Sequence, residues 1–118
     1  MVDIHYYANS RGQQPVLDWM QYVKKHDKAT YRKTYQMMKY LSHNGNLIAS
    51  GEIKHKDIKK LKGHDIWQVR VNENRLLYFY YSGNSIVFTN QFQKKQNDTP
   101  KKEIDKAKQR KEIWAKKN

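Results

Sequence analysis

Cysteine is absent from this sequence, so it carries no disulfide scaffold, no thiolate nucleophile and no thiolate metal site. No apolar run approaches the roughly 20 residues that a membrane-spanning helix needs. The stretch Met1 to Tyr7 alternates polar and apolar residues and lacks the apolar h-region of a signal peptide. A soluble, intracellular, cytoplasmic protein without membrane association is therefore expected. The five histidines, His5, His26, His43, His55 and His64, are scattered along the chain with no HExxH or other ligand spacing, so no metal site is expected. There is no Walker loop, no GxGxxG and no GxSxG, and no cofactor is expected. Acids are also scarce: 11 Asp+Glu stand against 24 Lys+Arg. Only Asp65 and Glu73 fall near the segments that read as sheet, so a paired-carboxylate hydrolase is hard to build.

What is present is positive charge. The formal net charge is +13 over 118 residues, carried by nineteen lysines and five arginines. Such a surface repels itself and attracts polyanions. Nucleic acid is the common partner, because lysines that replace condensed counterions on phosphates gain their release. The plainer alternative is a surface that serves solubility alone. The length fits one domain, residues 1–118.

Val2, Ile4 and Tyr6 alternate with Asp3 and His5, the period of a half-buried strand. Pro15 suits the first turn of a helix over about 14–25, with Val16, Trp19, Met20 and Val23 as its stripe. Asp27 is a plausible N-cap for a second helix over about 28–43. Its stripe is Tyr31, Thr34, Tyr35, Met38 and Leu41, and Asn44-Gly45 reads as its stop. Residues 46–64 read as a loop, ending in a run of five lysines and two histidines against one aspartate over 54–64. Ile66–Val71, Arg75–Tyr81 and Ser85–Phe92 are rich in β-branched and aromatic residues, with turn residues between them, and predict a three-stranded antiparallel meander. Thr99 and Pro100 open a last helix to about Lys116, with Thr99 as its cap. Its thin stripe, Ile104, Ala107, Ile113 and Trp114, predicts weak docking or docking against a partner. The order is β-α-α-β-β-β-α, an α+β domain with helices on one sheet face.

Four groups of residues are candidates for chemistry. Arg70 and Arg75 flank the first meander turn and suit bidentate grip of a phosphate. An even-residue turn puts Gln68, Arg70, Arg75, Leu77, Phe79 and Tyr81 on one face, whereas a three-residue turn separates the arginines; the sequence leaves both open. The lysine run, with Lys54, Lys56, Lys59, Lys60 and Lys62, reads as a phosphate-tracking loop or as a solvated charge run. Lys94 and Lys95 follow the last strand, and either aim at a substrate or discourage edge pairing. Among the aromatic residues, Tyr81 near a hairpin end suits base stacking or proton relay, while the others read as core.

Leu61-Lys62-Gly63-His64-Asp65-Ile66-Trp67-Gln68-Val69-Arg70-Val71 resembles the LKG…LWELR block of phage-derived Gp49-like HigB toxins, in the RelE/ParE superfamily. Arg75-Leu76-Leu77-Tyr78 is similar to the strand that follows it. Phe92-Gln93-Lys94-Lys95, then Thr99-Pro100, Glu103-Ile104, Ala107 and Arg110, is similar to the family's F-x-K-K…T-P…E-I…A…R tail. The resemblance implies a RelE-like fold and a ribosome-dependent mRNA endoribonuclease, the toxin of a type II toxin–antitoxin pair. It also implies a HigA-type antitoxin with a helix-turn-helix domain, through which alone the toxin meets operator DNA. Arg70, Arg75 and Lys94 or Lys95 align with its functional basic positions, while Lys62 and His64 lie in the block before the sheet. Gln68 stands where some relatives carry lysine. The superfamily's C-terminal catalytic tyrosine has no counterpart, since that region reads Asp98-Thr99-Pro100. Proton transfer in the implied metal-free reaction then falls to His64, Tyr81 or a lysine. Two rivals remain: a ParE-like poison of DNA gyrase, and a nucleic-acid-binding module without activity.

Overall fold

The computed structural model describes all residues, Met1 to Asn118. Strand β1 spans Asp3–Tyr6, helix α1 Pro15–His26 and helix α2 Lys28–Ser50. Strands β2 (Ile58–Lys60), β3 (Trp67–Val71), β4 (Asn74–Tyr81) and β5 (Ser85–Gln93) follow, then helix α3, Lys101–Lys117. The five strands form one mixed sheet in the order β1-β5-β4-β3-β2. β1 runs parallel to β5, and the other neighbours are antiparallel. The α+β class, β1 and the meander β3–β5 are as the sequence predicts; β2 is not, since Ile58–Lys60 fall in the stretch read as loop, and the order is β-α-α-β-β-β-β-α. No helix is long and apolar enough to cross a membrane.

Local chemistry accounts for most boundaries. Pro15 sits at the first turn of α1, where a missing N–H costs nothing. Asp27 caps α2 as expected, accepting hydrogen bonds from the Thr30 backbone N–H and hydroxyl. The predicted stop at Asn44-Gly45 is wrong, because α2 continues to Ser50 and ends at Gly51 in the left-handed region, φ +82°. Gly45 answers to packing, not to termination. A β-carbon there would lie 3.0 Å from Ile86 Cδ1 and 3.3 Å from Val2 Cγ2. The Tyr80 hydroxyl donates to the Gly45 carbonyl at 2.9 Å, which ties helix to sheet.

The expectation of helices on one face is also overturned. α1 and α2 cover one face through a core that includes Val16, Met20, Met38, Leu41, Val69, Leu76, Tyr78, Ile86 and Phe88. Thr30, Thr34, Met37, Met38 and Leu41 form the buried stripe of α2, while Tyr35 faces solvent. α3 covers the opposite face. Its Ile104, Ala107, Ile113 and Trp114 pack on Ile66, Leu77, Phe79 and Val87. The helix that promised weak docking is thus seated within the chain. The reason is visible in β4, where Leu76 to Phe79 are all fully buried. A strand apolar on both sides needs cover on both. Thr99 is not the cap of α3; its hydroxyl donates to Gln68 Oε1 at 2.7 Å and holds the incoming segment over that second face.

One irregularity sets which side chains meet α3. Leu77 pairs with Asn90 and Tyr78 with Phe88, so Thr89 is an extra residue in β5. The bulge shifts the alternation and turns Asn90 toward α3, where its Nδ2 donates to Glu103 Oε1 at 3.0 Å. The Arg110 guanidinium donates to the Thr89 carbonyl at 2.7 Å.

Candidate nucleic-acid interface

The turn between β3 and β4 decides the arginine question. Val71 pairs with Asn74, leaving a two-residue turn, Asn72-Glu73. Asn72 takes φ +54°, a left-handed conformation that asparagine tolerates. Arg70 therefore pairs directly with Arg75, and both lie on the face that α3 shares. Like charges directly opposite destabilise a sheet unless something answers them.

Two answers are built in. Arg70 Nε bonds Asp57 Oδ1 at 2.9 Å, and its Nη2 donates to the Lys56 carbonyl at 3.3 Å. Arg75 is almost wholly buried, and its Nη1 donates to the Asn72 and Asn74 carbonyls at 2.7 and 3.0 Å. One nitrogen of Arg75 thus staples the turn, and its other N–H groups remain as donors. Burial raises the Asp57 pKa, but the Arg70 hydrogen bond and the charges of Arg70, Lys33 and His55 outweigh it, and the carboxyl stays below its ordinary range. Burial and the Arg70 charge lower the Arg75 pKa; a guanidinium still remains charged.

β2 and the segment after β5 complete the wall. The Arg70 backbone N–H donates to the Asp57 carbonyl at 2.8 Å, and Lys59 pairs with Gln68 across β2 and β3. The Lys94 backbone N–H donates to the Glu73 carbonyl at 2.7 Å, which lays residue 94 beside the turn. The result is a groove of about 150 Å³ lined by Lys56, Asp57, Lys59, Gln68, Arg70, Arg75, Lys94 and Asn97, without an apolar residue. Five cations surround one carboxylate. Such a groove fits a phosphate backbone, with guanidinium forks for the non-bridging oxygens.

The groove gathers six of the residues marked from sequence: Lys56, Lys59, Gln68, Arg70, Arg75 and Lys94. Lys95 does not line it; it lines a larger pocket with Lys102 and shares with Lys94 and Arg75 a small hollow between the two. Lys54 and Lys60 line a hollow with Ile53, Ile58 and Trp67, next to the end of α2. Lys62 is exposed in the loop before β3. His64 and Tyr81 lie away from the groove. His64 lies in the loop at the far end of β3 from Arg70, with its Nδ1 buried and unpartnered. Tyr81 pairs with Ser85 at the opposite end of β4 and meets Trp114 edge-on. Six residues along a strand put it about 20 Å from Arg75. Sequence reading passed over Asp57 and Asn97 as site residues; the signal for Asp57 was its being the one acid in the lysine run.

No curated protein matches the chain. Residues 21–112 match the family described as phage-derived protein Gp49-like (DUF891), a span that takes in the groove, the whole meander and most of α3. The chain therefore belongs to the phage-derived Gp49-like family, a toxin-like family.

Proposed function

We propose that this chain is the toxin of a type II toxin–antitoxin pair and an mRNA endoribonuclease of the HigB kind, acting on the message in the ribosomal A site. A HigA-like antitoxin with a helix-turn-helix domain would neutralise it, an acidic segment covering the cationic groove. The activity belongs in the cytoplasm, where translation runs. The observation that carries the reading is the groove itself: five cations and one carboxylate around the cross-strand pair Arg70–Arg75.

In this reading the RNA 2′-hydroxyl attacks its own phosphate. The 2′-oxygen–phosphorus bond forms, the phosphorus–5′-oxygen bond breaks, and a 2′,3′-cyclic phosphate and a 5′-hydroxyl result. The phosphorane carries extra negative charge on its non-bridging oxygens. Arg75 and Lys94, with Lys59 beside them, are placed to stabilise it, the kind of contribution expected to dominate. One proton must leave the 2′-hydroxyl and one must reach the 5′-oxygen. His64 and Tyr81 stand away from the groove, and Asp57 is a weak base because its pKa is lowered. The lysines of the groove and water carry that proton traffic. The need for a 2′-hydroxyl makes the substrate RNA and not DNA.

The test is induction of the wild-type chain, Arg70→Ala, Arg75→Ala and Arg75→Lys at matched expression, with RNA 5′ ends mapped. Wild type should arrest growth and leave ribosome-phased cuts with 5′-hydroxyl ends, and both alanine variants should lose this. Arg75→Lys keeps the charge and loses the fork, and should fall between. Intact mRNA with a DNA-damage response would favour a gyrase poison. Salt-dependent nucleic-acid binding with neither cuts nor arrest would leave a binding module.

A further inference from the structure

The cationic groove is not the largest cavity beside the sheet. β1 pairs with β5 only from Ser85 to Phe88, so the outer edge of β5 is open from Thr89 onward. There, between α1, the end of β5 and the start of α3, lies a pocket of about 540 Å³. That size falls within the roughly 300–1,000 Å³ of small-molecule sites.

Its chemistry differs from that of the groove. Two aromatic side chains, Trp19 and Phe92, and four carboxamides, Asn74, Gln91, Gln93 and Gln96, line it, with Lys95 and Lys102 among its other residues. Its one acid is already engaged: Glu103 Oε1 accepts from Asn90 Nδ2 at 3.0 Å and lies 3.7 Å from Lys106 Nζ. Carboxamides offer donors and acceptors without charge, which suits the edge of a heterocycle better than a phosphate. Gln91 Nε2 donates to Asn74 Oδ1 at 3.0 Å. That bond orients both amides and leaves Asn74 Nδ2 as a donor and Gln91 Oε1 as an acceptor. A nucleobase edge presents the complementary pair. The aromatic side chains supply stacking faces.

The pocket is adjacent to the groove. It wraps the open end of β5: Asn74 and Gln91 stand on the face that α1 covers, Phe92 pairs with Arg75 on the α3 face, and a small hollow lined by Arg75, Phe92, Lys94 and Lys95 joins the two sites. Lys94 lines the groove and its neighbour Lys95 the pocket.

We infer that this pocket is a nucleobase subsite, taking the base of a nucleotide that flanks the phosphate in the groove. Its role in choosing where RNA is cut rests on the endoribonuclease reading; its binding of a nucleotide does not. The test has two readouts on the full-length chain. The first is NMR titration with each of the four nucleoside 3′-monophosphates, following the Asn74 and Gln91 side-chain amides and the Trp19 indole. The second is the base composition around mapped cuts. Shifts at these groups, affinity for the favoured nucleotide weakened about tenfold in Gln91→Leu, and a changed base preference at one cut position support the subsite. Gln93→Ala, on the exposed rim, gives a second variant should Gln91→Leu fold poorly. If wild type cuts RNA but the groups do not shift and both variants keep its base preference, the subsite is refuted and the activity stands. If nucleotide binding is seen and weakened by the variants while no RNA is cut, the subsite stands and the endoribonuclease reading falls. Shifts produced only by an added acidic peptide would assign the pocket to a protein partner and refute the inference.

Discussion

The groove makes a quantitative electrostatic prediction. Lys56, Lys59, Arg70, Arg75 and Lys94 line it together with a single carboxylate, Asp57. Asp57 has only 10% of its side chain exposed and holds Arg70 at 2.9 Å. Lys56, Lys59 and Lys94 are therefore free for phosphates, Arg75 offers the N–H groups that the turn leaves over, and Arg70 is largely committed. On a single strand, each phosphate neutralised contributes about −0.7 to the slope of log K against log salt. A 2′-O-methyl RNA of six nucleotides carries five phosphodiesters, enough for every cation of the groove, and offers no 2′-hydroxyl to react. Its binding should follow a slope of about −2 to −3 if three to four cations each meet a phosphate. Lys94→Ala should make the slope shallower by about 0.7, and Asp57→Asn, which releases Arg70, steeper by a similar amount. Lys117→Ala, at the far end of α3, should leave it unchanged. Fluorescence anisotropy at a series of salt concentrations reads all four proteins. If Lys94→Ala and Asp57→Asn both keep the wild-type slope, the strand does not lie in this groove and the reasoning fails.

Three further outcomes follow from the same structure. Gly45→Ala gains about 1 kcal/mol of helix propensity but forces a β-carbon to 3.0 Å from the fully buried Ile86, an overpacking cost of about 1–3 kcal/mol. Urea denaturation should show a net loss of about 1 kcal/mol; a gain of that size would mean the glycine serves no close approach. Asp57 has a folded pKa below its unfolded value, so its stabilisation is present above the ordinary carboxylate pKa of about 4 and is lost as pH falls through the lower folded value. Melting temperatures below about pH 5 should therefore fall less steeply in Asp57→Asn than in wild type. Finally, His64→Ala and Tyr81→Phe should cleave RNA at the wild-type rate, since both residues lie outside the groove; a large loss in either, with the fold intact by circular dichroism, would move the proton-transfer step toward α3.

The parts of the fold that were readable are those written in short-range chemistry. Pro15, the Asp27 cap and the period-two strands each depend on neighbours within a few residues, and each stands where the sequence puts it. Gly45 misled because a glycine spared for close packing looks, in one dimension, like a glycine that ends a helix. The six apolar and aromatic residues from Leu76 to Tyr81 already signalled a strand buried on both faces, and so a helix on each. The polar surface of α3 hides its part in that cover, which only Ile104, Ala107, Ile113 and Trp114 supply.

By itself, the sequence determined the charge, the α+β class, the meander and the places of β1 and the three helices, though not β2 or the end of α2. Charge and local propensity are properties of residues and their near neighbours, and survive without a fold. Only the tertiary structure decided what faces what. A two-residue turn set Arg70 against Arg75, an edge strand brought Asp57 to Arg70, and one extra residue at Thr89 turned Asn90 toward α3. The same geometry put Lys94 in the groove and Lys95 at its border with the larger pocket, and left His64 and Tyr81 away from the groove. Each of these depends on strand register, which a shift of one residue reverses; the run Asn72-Glu73-Asn74 allows a turn of two residues or three, and only the packed sheet selects two.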